Sequence, residues 1–253
     1  MFDTCNPMKH PLSLDERRER LAGLTEQVAP VTIAAEQTLS LAPALDPLFP
    51  QGKLRRGTII SAAGSGGALS LALTVCAQAS RDGSWLAVLG AERIGLAAVE
   101  EIGIALDRFV VVEAPPPDQW GSVAGALVDA FDLVLVATNH QIKHHDARRL
   151  QARARERGSV IVHIGRWGWP EAPDVRLDVI ECQWSGLGEG HGILQARQLT
   201  VTAVARRDTV PRRKSSMWLP DKQGGVSLSN EQGGVSLSND LADEQVSDLA
   251  EVS

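Results

Sequence analysis

From Thr58 onward the chain alternates short, continuously apolar runs with longer stretches of helical periodicity. The apolar runs cover 58–62, 85–89, 109–112, 133–137 and 160–164, and each is β-branched or wholly apolar, as strands covered on both faces are. Between them, apolar residues recur at three- and four-residue spacing over 69–79, 95–106, 122–130 and 145–157, which predicts helices. Four strand–helix units in succession predict an α/β fold with a mostly parallel, twisted sheet flanked by helices. After Pro170 come two longer alternating runs, 175–184 and 193–205, joined by the glycine-rich segment 186–192. They predict a C-terminal antiparallel β-hairpin that extends the sheet.

The flanks read differently. Ser13-Leu-Asp-Glu16 has the form of a capping box and predicts a short helix to about Glu26, ended by Pro30. Residues 39–57, rich in Pro and Leu, predict an ordered approach loop. Beyond Arg206 a basic segment gives way to a tandem repeat, Gln223-Gly-Gly-Val-Ser-Leu-Ser-Asn230 and again 232–239, too polar to bury a core of its own. The expected division is an N-terminal helical segment (1–38), a core domain (39–205) and a basic, then acidic, largely disordered tail (206–253).

Composition narrows the class. At 253 residues and 43% hydrophobic, the chain can fill a full core. Its longest apolar run, 68–77, is broken by Ser70, Thr74 and Cys76 and is too short to span a bilayer. The N-terminus has no basic-then-apolar leader, so a cytoplasmic protein with no membrane partner is expected. Cys5, Cys76 and Cys182 are too scattered for a zinc or disulfide framework. The net charge of −6 belongs to the tail, where Asp221, Glu231, Asp240, Asp243, Glu244, Asp248 and Glu251 face Lys222 alone; residues 1–220 balance.

The candidate chemistry centres on Ser61-Ala-Ala-Gly-Ser-Gly-Gly-Ala-Leu-Ser70, a glycine-rich turn between a strand and a helix, where phosphate loops sit. A dinucleotide fingerprint fits Gly64 and Gly66 but meets Leu69 at its third glycine, and Glu92 lies too far on to take the ribose. A P-loop fails at its chemical positions. With Gly67 as the second glycine, Ala68 replaces the lysine, Leu69 replaces the magnesium-binding hydroxyl, and too few residues separate Gly64 from Gly67 to wrap a phosphate.

The order of these pieces nonetheless resembles the core of RecA recombinases over about residues 40–165. The likeness runs through Ala44-Leu-Asp-Pro-Leu-Phe-Pro-Gln-Gly-Lys-Leu-Arg-Arg-Gly-Thr-Ile-Ile60, the glycine turn and its helix, Gly83-Ser-Trp-Leu-Ala-Val-Leu-Gly-Ala-Glu92, Ile102-Gly-Ile-Ala-Leu-Asp-Arg-Phe109 and Asp132-Leu-Val-Leu-Val-Ala137. It implies that Glu92 matches the water-activating glutamate and that Ala137 stands where the family keeps a metal-binding aspartate. Without lysine, hydroxyl and aspartate, Glu92 cannot organise hydrolysis. The resemblance therefore implies a degenerate ATPase: no enzyme activity, no bound ATP or other cofactor, and no metal.

Within that group the chain is similar to ImuA-type accessory factors of bacterial mutagenic translesion synthesis, actinobacterial variants included, and more distantly to SulA-type inhibitors of cell division. The first likeness implies a role in the SOS response to DNA damage, with an inactive Y-family-like polymerase homologue (ImuB-type) as partner and, through it, a replicative-type error-prone polymerase. The alternatives are a division inhibitor and a divergent RecA-like ATPase or DNA-binding protein.

Three further groups are candidates for surface chemistry. Arg149, Arg153 and Arg157 form one stripe at helical spacing that could face phosphates or an acidic partner, or simply water. Trp167 and Trp169 could stack bases or plug a sheet edge, while Trp85, Trp120 and Trp184 read as core or partly buried. The segment 206–220 offers Arg206, Arg207, Arg212, Arg213 and Lys214 for attraction and Met217, Trp218 and Leu219 as an apolar anchor, the pattern of a linear partner-binding motif. His140 and His144 have zinc-like spacing but fall in an expected loop.

Overall fold

In the computed structural model, the structure describes residues 38–229 apart from 65, 92, 93, 189, 190, 207 and 211. The expected N-terminal helix, Cys5, Glu92, Arg207 and the second repeat copy lie outside the described residues. The compact unit starts at Leu39. Its first stretch winds through two short 3-10 turns, Pro43–Leu48 and Pro50–Gly52, whose prolines fix the path while Leu45, Leu48 and Phe49 drop into the core.

The regular elements follow the predicted periodicity closely. They are β1 (Ile59–Gly64), α1 (Ala68–Arg81), β2 (Leu86–Leu89), α2 (Leu96–Ile102), β3 (Phe109–Val112), α3 (Trp120–Ala130), β4 (Leu133–Thr138), α4 (His144–Arg157) and β5 (Val160–Gly165). The hairpin is β6 (Val175–Gly188) and β7 (His191–Ala205). Helix α2 is shorter than its pattern because Gly103, in the left-handed region at φ 101, caps it.

One nine-stranded sheet holds the unit together, in the order β9-β8-β7-β6-β1-β5-β4-β2-β3, with β8 (Arg213–Trp218) and β9 (Ser227–Leu228) completing it. Strands β1 to β6 pair in parallel, and β6 through β9 pair antiparallel. The expected α/β class, a mostly parallel sheet flanked by helices with antiparallel strands at the C-terminal side, is what the chain adopts. Two apolar layers cover the sheet: one gathers α1 with Leu45, Leu48 and Phe49, the other α3 and α4 with Trp120 and Trp169.

The tail is where expectation and structure part. Residues 213–218 are not a disordered linker: they lie in register against 198–203 as β8, and Met217 and Leu219 are fully buried. Residues 223–229 of the first repeat copy are ordered too. The Asp221 carboxylate accepts the N–H groups of Gln223 and Gly225, turning the chain so that Ser227 and Leu228 pair with Trp218 and Met217. A polar repeat that cannot build a core can still satisfy its backbone on an existing strand edge.

Candidate functional site

The chain leaves β1 toward β2 on one side of the sheet and leaves β5 toward β6 on the other, although β1 and β5 are neighbours. Connections that diverge from adjacent parallel strands leave a crevice at the strands' carboxyl ends, the usual ligand position in such sheets. A cleft of about 620 Å3 lies there. Its walls are the ends of β1 (Ala62, Ala63, Gly64), β2 (Leu89, Gly90), β4 (Ala137, Thr138, Asn139) and β5 (Ile164, Gly165, Arg166), with Ala68, Ala114, Trp120 and His140.

The glycine turn forms the cleft's floor. Gly64 has φ 120, and a Cβ there would collide with the Val179 carbonyl of β6, so β1 can run this close to β6 only with glycine. Gly67 is left-handed at φ 99 and serves as N-cap of α1 without any side-chain cap. Ala68 faces the cleft, Leu69 packs against the core, and Ser70 lies in the first turn of α1. Ala137 stands across the cleft in β4, partly buried. Among the described residues that line the cleft there is no carboxylate and no lysine, and Arg166 carries the one permanent charge.

Beneath the cleft lies a polar cluster that the sequence pattern did not flag. His163 of β5 shares a 3.0 Å hydrogen bond between its Nε2 and the Thr138 hydroxyl, and its ring meets Trp169 edge-to-face at 5.6 Å. Burial pushes the His163 pKa down to about 4, so the imidazole is neutral at pH 7. Its Nδ1 and the Nε1 atoms of Trp120 and Trp169 are buried without a hydrogen-bond partner. The only signal for His163 was parity: it alternates with Val162 and Ile164 in a strand covered on both faces.

The other sequence candidates separate. Trp169 is buried and therefore plugs the α3–α4 layer, so it cannot stack a base; Trp167 is 40% exposed, with the Arg166 guanidinium 5.7 Å from its ring. Of the three tryptophans read as core or partly buried, Trp120 is in the core while Trp85 and Trp184 are nearly half exposed. Arg153 and Arg157 both pair with Asp129 of α3, at 3.1 and 3.3 Å, so a single carboxylate ties the two guanidinium groups to the neighbouring helix and offsets one of their two charges. Arg149 donates to the Gly121 carbonyl at 3.2 Å. The stripe is thus largely a clasp between two helices. His140 packs edge-to-face on Trp120 at 5.7 Å while His144 turns to Glu171, which also accepts from Arg148; these two contacts hold the Glu171 carboxyl below its ordinary pKa.

The expected linear motif is dispersed as well. Met217 and Leu219 belong to the core and Trp218 is partly buried, while Arg213 forms an ion pair with Asp208 at 2.7 Å. Arg212 and Lys214 remain exposed, and Arg206 lines a separate hollow with Lys53, Arg55, Arg56 and Arg155 at the opposite end of β1. Exposed apolar side chains gather instead toward the tip of the β6–β7 hairpin, at Trp184, Leu187, Ile193 and Leu194.

Comparison with known proteins places this architecture beside one family description. Residues 47–171, just under half of the chain and spanning β1 to β5 with the cleft, match the family model described as the MT3502 N-terminal domain. The chain is 36% identical over 103 residues to "Uncharacterized protein Rv3395c" of Mycobacterium tuberculosis, a stretch covering 40% of this chain and 50% of that protein. The chain therefore spans about half the length of the relative it matches.

Proposed function

We propose that this protein is a non-catalytic adaptor with a RecA-like core, acting in DNA-damage-induced mutagenic translesion synthesis beside a Y-family-like polymerase homologue. The observation that carries the reading is the cleft. It keeps the position and the strand–turn–helix entry of a nucleotide site, yet its described lining holds no lysine and no carboxylate, with Ala68 and Ala137 where phosphoryl transfer requires a cation and a metal-holding acid. The proposal assigns it no catalytic cofactor and no residue in a catalytic role.

An adaptor works through its surface, and the exposed apolar residues at the hairpin tip supply one. Leu187, Ile193 and Leu194 stand more than half exposed on a two-stranded ribbon, the kind of apolar anchor a partner's groove desolvates. The buried Met217 and Leu219 leave the tail's basic residues, Arg212 and Lys214, as rim charges that would speed encounter more than they hold the complex.

Co-expression with a Y-family-like polymerase homologue tests this. The full chain should co-purify with that partner, and Ile193→Asp should abolish co-purification while the chain remains folded. Failure of the full chain to associate, or turnover of ATP that depends on magnesium, would sink the proposal.

A further inference from the structure

A hollow of about 290 Å3 opens at the amino ends of β1 and β6, the end of the sheet opposite the glycine-turn cleft. Phe49, Leu54 and Val175 form its buried apolar floor, and around them stand Lys53, Arg55, Arg56, Arg155 and Arg206 against the carboxylate of Asp174. Two of these cations are compensated, Arg56 by Asp132 at 2.9 Å and Arg155 by Asp174 at 3.7 Å. Lys53, Arg55 and Arg206 are exposed and make no ion pair among the described residues. Like charges around a low-dielectric floor reinforce one another's field and draw anions to it. The hollow is smaller than an ordinary small-molecule pocket, which suits carboxylate side chains better than a whole cofactor.

The complementary charge lies further along the same chain. From Glu231 onward the sequence holds Glu231, Asp240, Asp243, Glu244, Asp248 and Glu251 and neither lysine nor arginine. Strand β9 aims that segment at the hollow. It runs antiparallel to β8, Ser227 beside Trp218 and then Leu228 beside Met217, and the Ser229 N–H donates to the Ser216 carbonyl at 3.0 Å. The backbone is therefore travelling toward Arg213, whose partner Ala203 lies just before Ala205 and Arg206 in the wall of the hollow. From β8 across β7 and β6 to β1 is three strand spacings, about 14 Å. The eleven residues beyond Ser229, ending at Asp240, span up to about 36 Å when extended. The acids thus reach the hollow with chain to spare, and a tether of this length holds them at an effective concentration on the order of millimolar. Weak exposed ion pairs are then enough to keep them there.

We propose that the chain's own acidic segment, residues 240–251, docks in this hollow with its carboxylates against Lys53, Arg55 and Arg206. The dock is a charge mask: an external anion gains the hollow only by displacing the segment, so access to these cations is set by the chain itself. It is independent of the adaptor reading. Either can fail with the other intact, since partner co-purification reads the β6–β7 tip and cross-linking within one chain reads the hollow.

A water-soluble carbodiimide tests this on the full chain, because it joins a lysine amine only to a carboxylate already in contact with it. Mass spectrometry should find Lys53 linked to an acid within 240–251, and the yield should fall about tenfold between roughly 0.05 M and roughly 1 M salt. Absence of that link, or a yield indifferent to salt, overturns the dock. In a mixture of 15N-labelled and unlabelled chains the link should join peptides of one label; mixed-label pairs would put the segment on a second copy and overturn the proposal. Combining Arg55→Glu with Arg206→Glu should cut the yield by about fivefold, and an unchanged yield sinks the assignment. Should that variant not fold, phenylglyoxal reads the same contact from the other side. Arg206 should react about threefold faster in a chain carrying Asp240→Asn, Asp243→Asn and Glu244→Gln than in the wild type, and equal rates overturn the dock.

Discussion

Met217→Ala separates a core strand from a linear motif. Met217 is fully buried, paired across to Leu199 on one side and Leu228 on the other, and belongs to the same apolar cluster as Leu45 and Leu48. Truncating a buried methionine removes its transfer energy and leaves a cavity, which together destabilise by about 2–5 kcal/mol. Taking about 3 kcal/mol, a domain of this size should lose roughly 6–12 °C in Tm. Urea unfolding followed by tryptophan fluorescence reads the change directly: the midpoint should fall while the m-value stays that of the wild type. Lys214→Ala, exposed on the same strand, should stay within about 0.5 kcal/mol. An unchanged midpoint for Met217→Ala would refute the placement of β8 and restore the picture of an unfolded binding peptide. The same reasoning makes truncation before residue 213 a poor probe of partner binding, since it strips a strand from the sheet.

Two further predictions concern the cleft. The His163 pKa, about 4 when folded against an ordinary 6.5, means the unfolded chain takes up the proton first as pH falls. Stability is therefore complete above pH 6.5 and declines down to pH 4, by about 2 kcal/mol between pH 7 and 5; His163→Gln should flatten that slope, and an unaltered slope in urea titrations would disprove the assignment. Gly64→Ala places a Cβ against the Val179 carbonyl on a backbone at φ 120 and should destabilise by about 2 kcal/mol or more, measured by the urea midpoint; wild-type stability would mean that β1 does not approach β6 this closely.

The parallel half of the sheet was legible because burial on both faces selects nearly continuous apolar runs: Leu133–Thr138 and Val160–Gly165 announce themselves by composition despite the buried Thr138 and His163. Strand β8 did not, because only Ser215 and Met217 are buried on it and the neighbouring Arg212, Arg213 and Lys214 dominate any window. The arginine stripe of α4 was visible as periodicity, but Asp129, which pairs with two of its members, sits on another helix, a contact no local pattern carries. The turn's empty chemistry at Ala68 and Leu69 could be read directly, whereas the burial of Arg197 follows from its parity with Leu199 and Val201, which only pairing with β6 fixes.

The ordered repeat copy makes the far edge of the sheet redundant at the level of the gene. Strand β9 is drawn from 223–230, and 232–239 spell the same eight residues. A deletion of 223–231 would join Lys222 to Gln232 and offer the sheet an identical strand, with the Asp221 turn still in place upstream. Replication slippage over this duplication can therefore lengthen or shorten the chain in nine-residue steps without rewriting the last strand, and tail length becomes free to vary while the fold's boundary stays fixed.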